Sequence, residues 1–107
     1  MLKQSSYTPA EMVLICQTPD VRVTEITLAP RSDTPVHEHT EAEEICYCLD
    51  GELTCEIPGE RPHVMQRGDR KTFPAGRPHR LSNLQDAPCK FLLIHSGGAF
   101  DFVAADS

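Results

Sequence analysis

His37 and His39 stand two residues apart in the stretch PVHEHTEAEEICYCLDG, and Glu43 and Glu44 follow a few residues later. In an extended strand, side chains at i and i+2 share a face, so both imidazoles project to the same side. A third imidazole is available at His79, just beyond the turn signal Pro74-Ala75-Gly76. Three imidazoles and one carboxylate suit Fe, Mn, Ni, Cu or Zn about equally well by ligand type. Structural zinc sites are closed and cysteine-rich, and this set is neither. Four protein ligands on an octahedral ion would leave two positions for water, dioxygen or a chelating substrate. The plainer alternative, ordinary strand histidines beside a surface carboxylate, requires four residues to meet this spacing by chance. A metal that holds the fold together without catalysis is the second alternative.

The two stretches carry a recognisable pair of motifs. His37, His39, Glu44 and Gly51 fill G-x5-H-x-H-x(3,4)-E-x6-G, and Gly68, Pro74, Gly76, His79 and Asn83 fill G-x5-P-x-G-x2-H-x3-N. On these residues the chain resembles the cupin superfamily. Glu43 meets the looser spacing to His39, but only Glu44 lies six residues before Gly51, so Glu44 is assigned. The leading glycine of the first motif falls at Arg31, a departure that bears on the local turn and not on the site. The resemblance implies a small antiparallel jelly-roll β-barrel. It also implies one divalent transition metal on His37, His39, Glu44 and His79.

Other residues could join the chemistry. With Glu44 inward, Cys46 and Cys48 share its face by the period-two rule. They either line the pocket wall as shaping, redox or ligating groups, or serve as small apolar fillers. Their spacing on one strand is poor for a disulfide. His95, on the closing strand, is either a pocket-facing general base or a strand-end histidine near solvent. His63, beside Pro62, is expected to be exposed. Arg70 and Lys71 alternate faces, so one of them should point to the interior or to a subunit contact. A buried cation calls for a carboxylate or phosphate ligand, which makes these two the candidate substrate-binding residues.

These groups must be positioned by strands. Glu11–Thr18 and Val21–Ala29 read as strands by their β-branched content, separated by the turn signal Thr18-Pro19-Asp20. The alternation in the second strand slips, which predicts a bulge near Thr24 and Glu25. Glu44–Asp50 and Leu53–Ile57 flank Asp50-Gly51, the strongest hairpin signal in the chain. Pro62–Met65 reads as an edge strand, followed by Arg70–Phe73, the His79 strand and Lys90–His95. Short strands at near-regular spacing, with no helical-period segment, predict an all-β sandwich or barrel. The expected organisation is an N-terminal arm (1–10), a barrel domain (11–98) and a C-terminal tail (99–107).

At 107 residues the chain supports one modest core. A net charge of −6 argues against a general nucleic-acid or anionic-membrane surface. Acidic residues dominate Asp33–Glu60, whereas Arg61, Arg67, Arg70, Lys71, Arg77 and Arg80 gather around the second motif. Five cysteines in no pattern, and no signal-peptide core, point to a reducing cytoplasm. Edge-strand homodimers are common in cupins of this size, so a homodimer is expected. The functional expectation is a metal-dependent enzyme acting on a small, anionic, oxygen-rich substrate by isomerase, lyase or dioxygenase chemistry. The alternative is a metal-containing cupin that binds or senses a small molecule and turns nothing over.

Overall fold

A computed structural model describes residues 2–4 and 9–105. In chain order the strands are β1 (Leu2–Gln4), β2 (Glu11–Gln17), β3 (Val21–Leu28), β4 (Ser32–Asp33), β5 (His37–Glu38) and β6 (Glu43–Asp50). They continue as β7 (Leu53–Glu56), β8 (His63–Met65), β9 (Arg70–Phe73), β10 (Arg80–Asn83), β11 (Cys89–Ser96) and β12 (Val103–Ala105). Every strand pairing is antiparallel, as expected for a jelly roll. Among the described residues no helix is long and apolar enough to cross a membrane.

Two sheets enclose the core: a five-stranded sheet ordered β2-β3-β11-β6-β9 and a four-stranded sheet ordered β4-β10-β7-β8. Inward residues of the first sheet (Ile26, Leu28, Cys46, Cys48, Phe73, Phe91) meet Leu53, Cys55, Met65 and Leu81 of the second in one apolar cluster. Alternation does this work. On β3, Thr24, Ile26 and Leu28 are buried while the residues between them are half-buried, as one inward face requires.

The expected hairpin at Asp50-Gly51 does not form. β6 is flanked by β11 and β9, and β7 by β10 and β8, so the turn carries the chain from one sheet to the other. Both edges of β6 are taken, and the inward side chains Leu53 and Cys55 can be buried only in the facing sheet. Gly51 makes the crossing at φ 80°, where an added Cβ would lie 3.0 Å from the Pro88 carbonyl oxygen. The bulge also lies elsewhere: the register shifts on β2 between Leu14 and Cys16, opposite Val23 and Thr24, leaving β3 regular.

The termini take part in the fold. β12 pairs β1 on one side and β5 on the other, with Ala104 opposite His37. Leu2–Gln4 is therefore a strand within the segment read as an N-terminal arm, and Val103–Ala105 is a strand within the tail. The remaining arm positions 1 and 5–8, and the tail positions 106–107, lie outside the described residues. His63 is exposed on β8, an edge strand as expected.

Candidate metal centre

β5 and the segment after it present His37 and His39 to the interior, and β6 presents Glu44. His79 is brought in by an isolated bridge to His37, sealed by two backbone hydrogen bonds of 2.9 Å. The Pro74–Gly76 turn is tied to the same place, because Gly76 N–H donates to the His39 carbonyl at 2.7 Å. One potential ligand atom from each of His37, His39, Glu44 and His79 lies within 4.8 Å of all the others. All four residues are at most 3 % exposed. Glu43, the other carboxylate of the pair, is exposed.

The proton bookkeeping of these rings decides what the cluster is for. Nδ1 of His37 faces the Pro35 carbonyl at 2.8 Å, Nδ1 of His79 faces the Arg77 carbonyl at 2.9 Å, and Nδ1 of His39 faces the Asp101 carbonyl. A carbonyl oxygen only accepts, so each Nδ1 carries a proton and each ring directs its Nε2 inward. His39 Nε2 lies 2.9 Å from Glu44 Oε1, and His79 Nε2 lies 3.4 Å from Oε2. Glu44 Oε2 and His79 Nε2 have no hydrogen-bond partner although they are buried. Two buried polar atoms are thus left unsatisfied within 3.4 Å of each other, an arrangement that a divalent cation satisfies and a dry interior does not. The donor set therefore fits a transition metal.

Electrostatics supports that reading. Burial lowers the His37 pKa to about 4, so the ring stays neutral and ligand-ready. Burial also opposes ionisation of Glu44, but the His39, His79 and His95 rings around it outweigh burial and hold its carboxyl well below the usual range. For His39 burial is likewise outweighed, by the Glu44 carboxylate and the Asp101 carbonyl, and its pKa is raised. Aromatic rings fix the imidazole planes. Phe102 stacks on His37 with centroids 4.0 Å apart, and Phe73 stacks on His79 at 4.1 Å.

His37, His39 and Glu44 of the cluster lie in the wall of a cavity of about 780 Å³ that also contacts Phe91, Leu93, His95, Phe100 and Arg22, while His79 stands behind that wall. His95 thus lines the pocket and is not a strand-end histidine near solvent. Its Nε2 lies 2.8 Å from Glu44 Oε1, and its Nδ1 is buried without a partner. Burial lowers the basicity of His95, and the charge of Arg22 acts in the same sense.

The remaining candidates lie elsewhere. Cys46 and Cys48 belong to the apolar cluster and do not line the cavity. Burial raises the Cys46 thiol well above its ordinary value, so it packs as an apolar filler. Arg70 and Lys71 do not line the cavity either. Arg70 is exposed, with its guanidinium 5.9 Å from the Tyr47 ring centroid. Lys71 sits opposite Cys46, one row of the sheet further from the site than Glu44. Of the other basic residues around the second motif, Arg77 bonds Glu60, and Arg80 bonds Glu56 at 2.9 Å.

Comparison with known proteins agrees with this geometry. The profile of the cupin domain family matches residues 24–95, which span both motifs and all four cluster residues. The chain belongs to the cupin superfamily. An uncharacterized conserved protein with a double-stranded β-helix domain from Klebsiella pneumoniae subsp. pneumoniae MGH 78578 superposes with a TM-score of 0.80. That match covers 98 % of this chain and 91 % of the other at 19 % identity, a likeness of fold. A sugar phosphate isomerase of the cupin superfamily from Silicibacter pomeroyi DSS-3 is 30 % identical at a TM-score of 0.66, over 72 % of this chain and 50 % of that one. The uncharacterized protein MJ1618 of Methanocaldococcus jannaschii is 34 % identical over 61 residues, 57 % of this chain. The match spans 48 % of that relative.

Four contributors escaped the sequence reading. Phe100, Asp101 and Phe102 come from the segment assigned to a tail, and Arg22 from a strand read only for its apolar residues. The alternation of Phe100 and Phe102 was the one available signal. Asn83 of the second motif proves structural: its Nδ2 donates to the Leu28, Ala29 and Ala87 carbonyls and ties β10 to the end of β3.

Proposed function

We propose that this cupin is a metal-dependent enzyme acting on a small, anionic, oxygen-rich substrate by isomerase, lyase or dioxygenase chemistry. The observation that carries the proposal is the gathering of three imidazoles around the Glu44 carboxylate, with His37, His39 and Glu44 in the wall of a cavity. His37, His39, Glu44 and His79 would hold one divalent transition metal, and that ion would supply Lewis acidity to substrate oxygens. The chain's own residues do the rest. The Pro35, Arg77 and Asp101 carbonyls fix the ring tautomers. His95 donates to Glu44 and holds the carboxylate in place. The apolar wall of Phe91, Leu93 and Phe100 keeps bulk water from the bound substrate. Likeness to a sugar phosphate isomerase supports the isomerase branch.

The same proposal places the protein in the cytoplasm as a homodimer. Four cysteines, Cys46, Cys48, Cys55 and Cys89, are buried as free thiols, which suits a reducing compartment. β2 is an edge strand with Met12, Val13, Leu14 and Ile15 about half exposed, a row suited to pairing with a second copy.

The test is turnover of a panel of small hydroxy- and oxo-carboxylates and sugar phosphates by metal-loaded protein, under air and under argon. The expected result is metal-dependent turnover that His79→Ala abolishes; equal rates in both gases would eliminate the oxygenase branch. Ligand binding without turnover across the panel would contradict the enzyme reading in favour of a binding cupin.

A further inference from the structure

Arg31, Arg77, Arg80 and Lys90 each face a carboxylate at the surface. Arg22 does not. It is half-buried in the cavity wall, where its guanidinium lies over the Phe100 ring, with 4.0 Å from Cζ to the centroid, and has no carboxylate partner among the described residues. An aromatic face offsets part of the cost of desolvating a guanidinium, but it forms none of the five hydrogen bonds the group can donate.

The sheet register fixes where this cation stands. Arg22 is opposite His95 across β3 and β11, and His95 is opposite Glu44 across β11 and β6. Directly opposed residues of antiparallel strands project on one face. Arg22, His95 and Glu44 therefore form a single inward row, with Arg22 about 10 Å from Glu44, or two strand spacings. That separation suits a small molecule with one end at each position.

We propose that Arg22 is the carboxylate-binding residue of this cavity. The substrate is then a small monocarboxylate with an apolar or aromatic body, its other oxygen groups reaching the His37–His39–Glu44–His79 cluster. The inference rests on reading the cavity as the substrate site and names the class of molecule that enters it. Charge selects the monoanion. The cavity wall contributes Arg22 against Glu44 and Asp101, so a divalent ion leaves one positive charge to be balanced. A guanidinium fork matches the two oxygens of a carboxylate in a plane, and the single charge to be balanced favours a carboxylate over a phosphate dianion. Among the described residues there is no helix, so no helix N-terminus is present to cradle a phosphate. Ile26, Leu93, Phe91 and Phe100 supply the apolar wall for the body of the molecule.

The experiment compares 3-phenylpropanoate with its neutral amide, by calorimetric titration of manganese-loaded and metal-free protein. Wild type is expected to bind the acid about 10- to 100-fold more tightly than the amide. Arg22→Gln is expected to abolish that preference while binding the amide as wild type does, and Arg22→Lys to restore part of it. Thermal melts of both variants confirm folding. A preference that survives in Arg22→Gln, no binding of either probe, or inorganic phosphate binding more tightly than the acid would overturn the assignment. Manganese titration of the same samples separates the two readings. Equal uptake by wild type and Arg22→Gln without any acid preference would sink the carboxylate site alone. An Arg22-dependent preference in a protein that takes up no metal would sink the metal reading and leave the carboxylate site standing.

Discussion

His95 holds one oxygen of Glu44: its Nε2 reaches Oε1 at 2.8 Å across the β6–β11 pairing. His39 Nε2 approaches the same oxygen at 2.9 Å, so Oε1 is shared while Oε2 has no hydrogen-bond partner. His95 lies outside the group of four, yet it fixes where that carboxylate points.

Replacing His95 with Phe fills the volume and removes the donor. Metal affinity should fall about 10- to 100-fold, the usual effect of losing a group that orients a ligand. Competition with a chromophoric chelator measures it. Unchanged affinity would mean that Glu44 is positioned by its strand alone.

The surface pair behind the site has a definite pH signature. Arg80 donates to both Glu56 oxygens, at 3.2 and 2.9 Å, and Ser82 Oγ donates to Oε1 at 2.8 Å. Arg80 first, then Ser82, lowers the Glu56 pKa from its ordinary value. A carboxyl with a lower pKa when folded contributes stability that is complete above its unfolded pKa and is lost as pH falls through the folded one. Arg80→Gln should cost about 0.5 to 1 kcal/mol at neutral pH. Urea titrations of the two proteins should converge in acid, once Glu56 is protonated in both states. A difference that persists there would show that Arg80 acts by packing.

Arg31 tests the one departure from the motifs. It occupies the position of the motif glycine and is the only non-glycine among the described residues with positive φ, at 56°. A side chain in that region costs about 1 to 2 kcal/mol. Its exposed bond to Asp86, at 2.8 Å, contributes at most about 1 kcal/mol. Glycine's extra freedom in the unfolded chain offsets part of the relief. Arg31→Gly should therefore stabilise the protein by up to about 1 kcal/mol, read from the urea midpoint. A lower midpoint would show that the Asp86 pair outweighs the backbone.

Legibility followed the kind of physics involved. The strands β2, β3, β6, β7 and β9 were readable because period-two burial and β-branched residues are local properties of the chain. The gathering of His37, His39, Glu44 and His79 was readable because the motif spacing carries information about strands that meet only in the fold. Which strand pairs with which was not readable. Asp50-Gly51 has the composition of a hairpin turn but joins strands of opposite sheets, because burial of Leu53 and Cys55 outweighs local turn preference. Arg22 was missed for a similar reason. Nothing near it in sequence marks a pocket residue, and its place in the row with His95 and Glu44 exists only through the register of three strands.

The central claim is that the four-residue cluster holds a metal ion, and titration with manganese or iron(II) in a calorimeter tests it most directly, for wild type and for His79→Ala. One ion per wild-type chain is the predicted result, with uptake lost or strongly weakened in the variant. Uptake should be accompanied by a rise in melting temperature that grows with metal concentration, about 2.7 kcal/mol of added stability at 100 times Kd. No uptake by wild type, or equal uptake by the variant, would contradict the account.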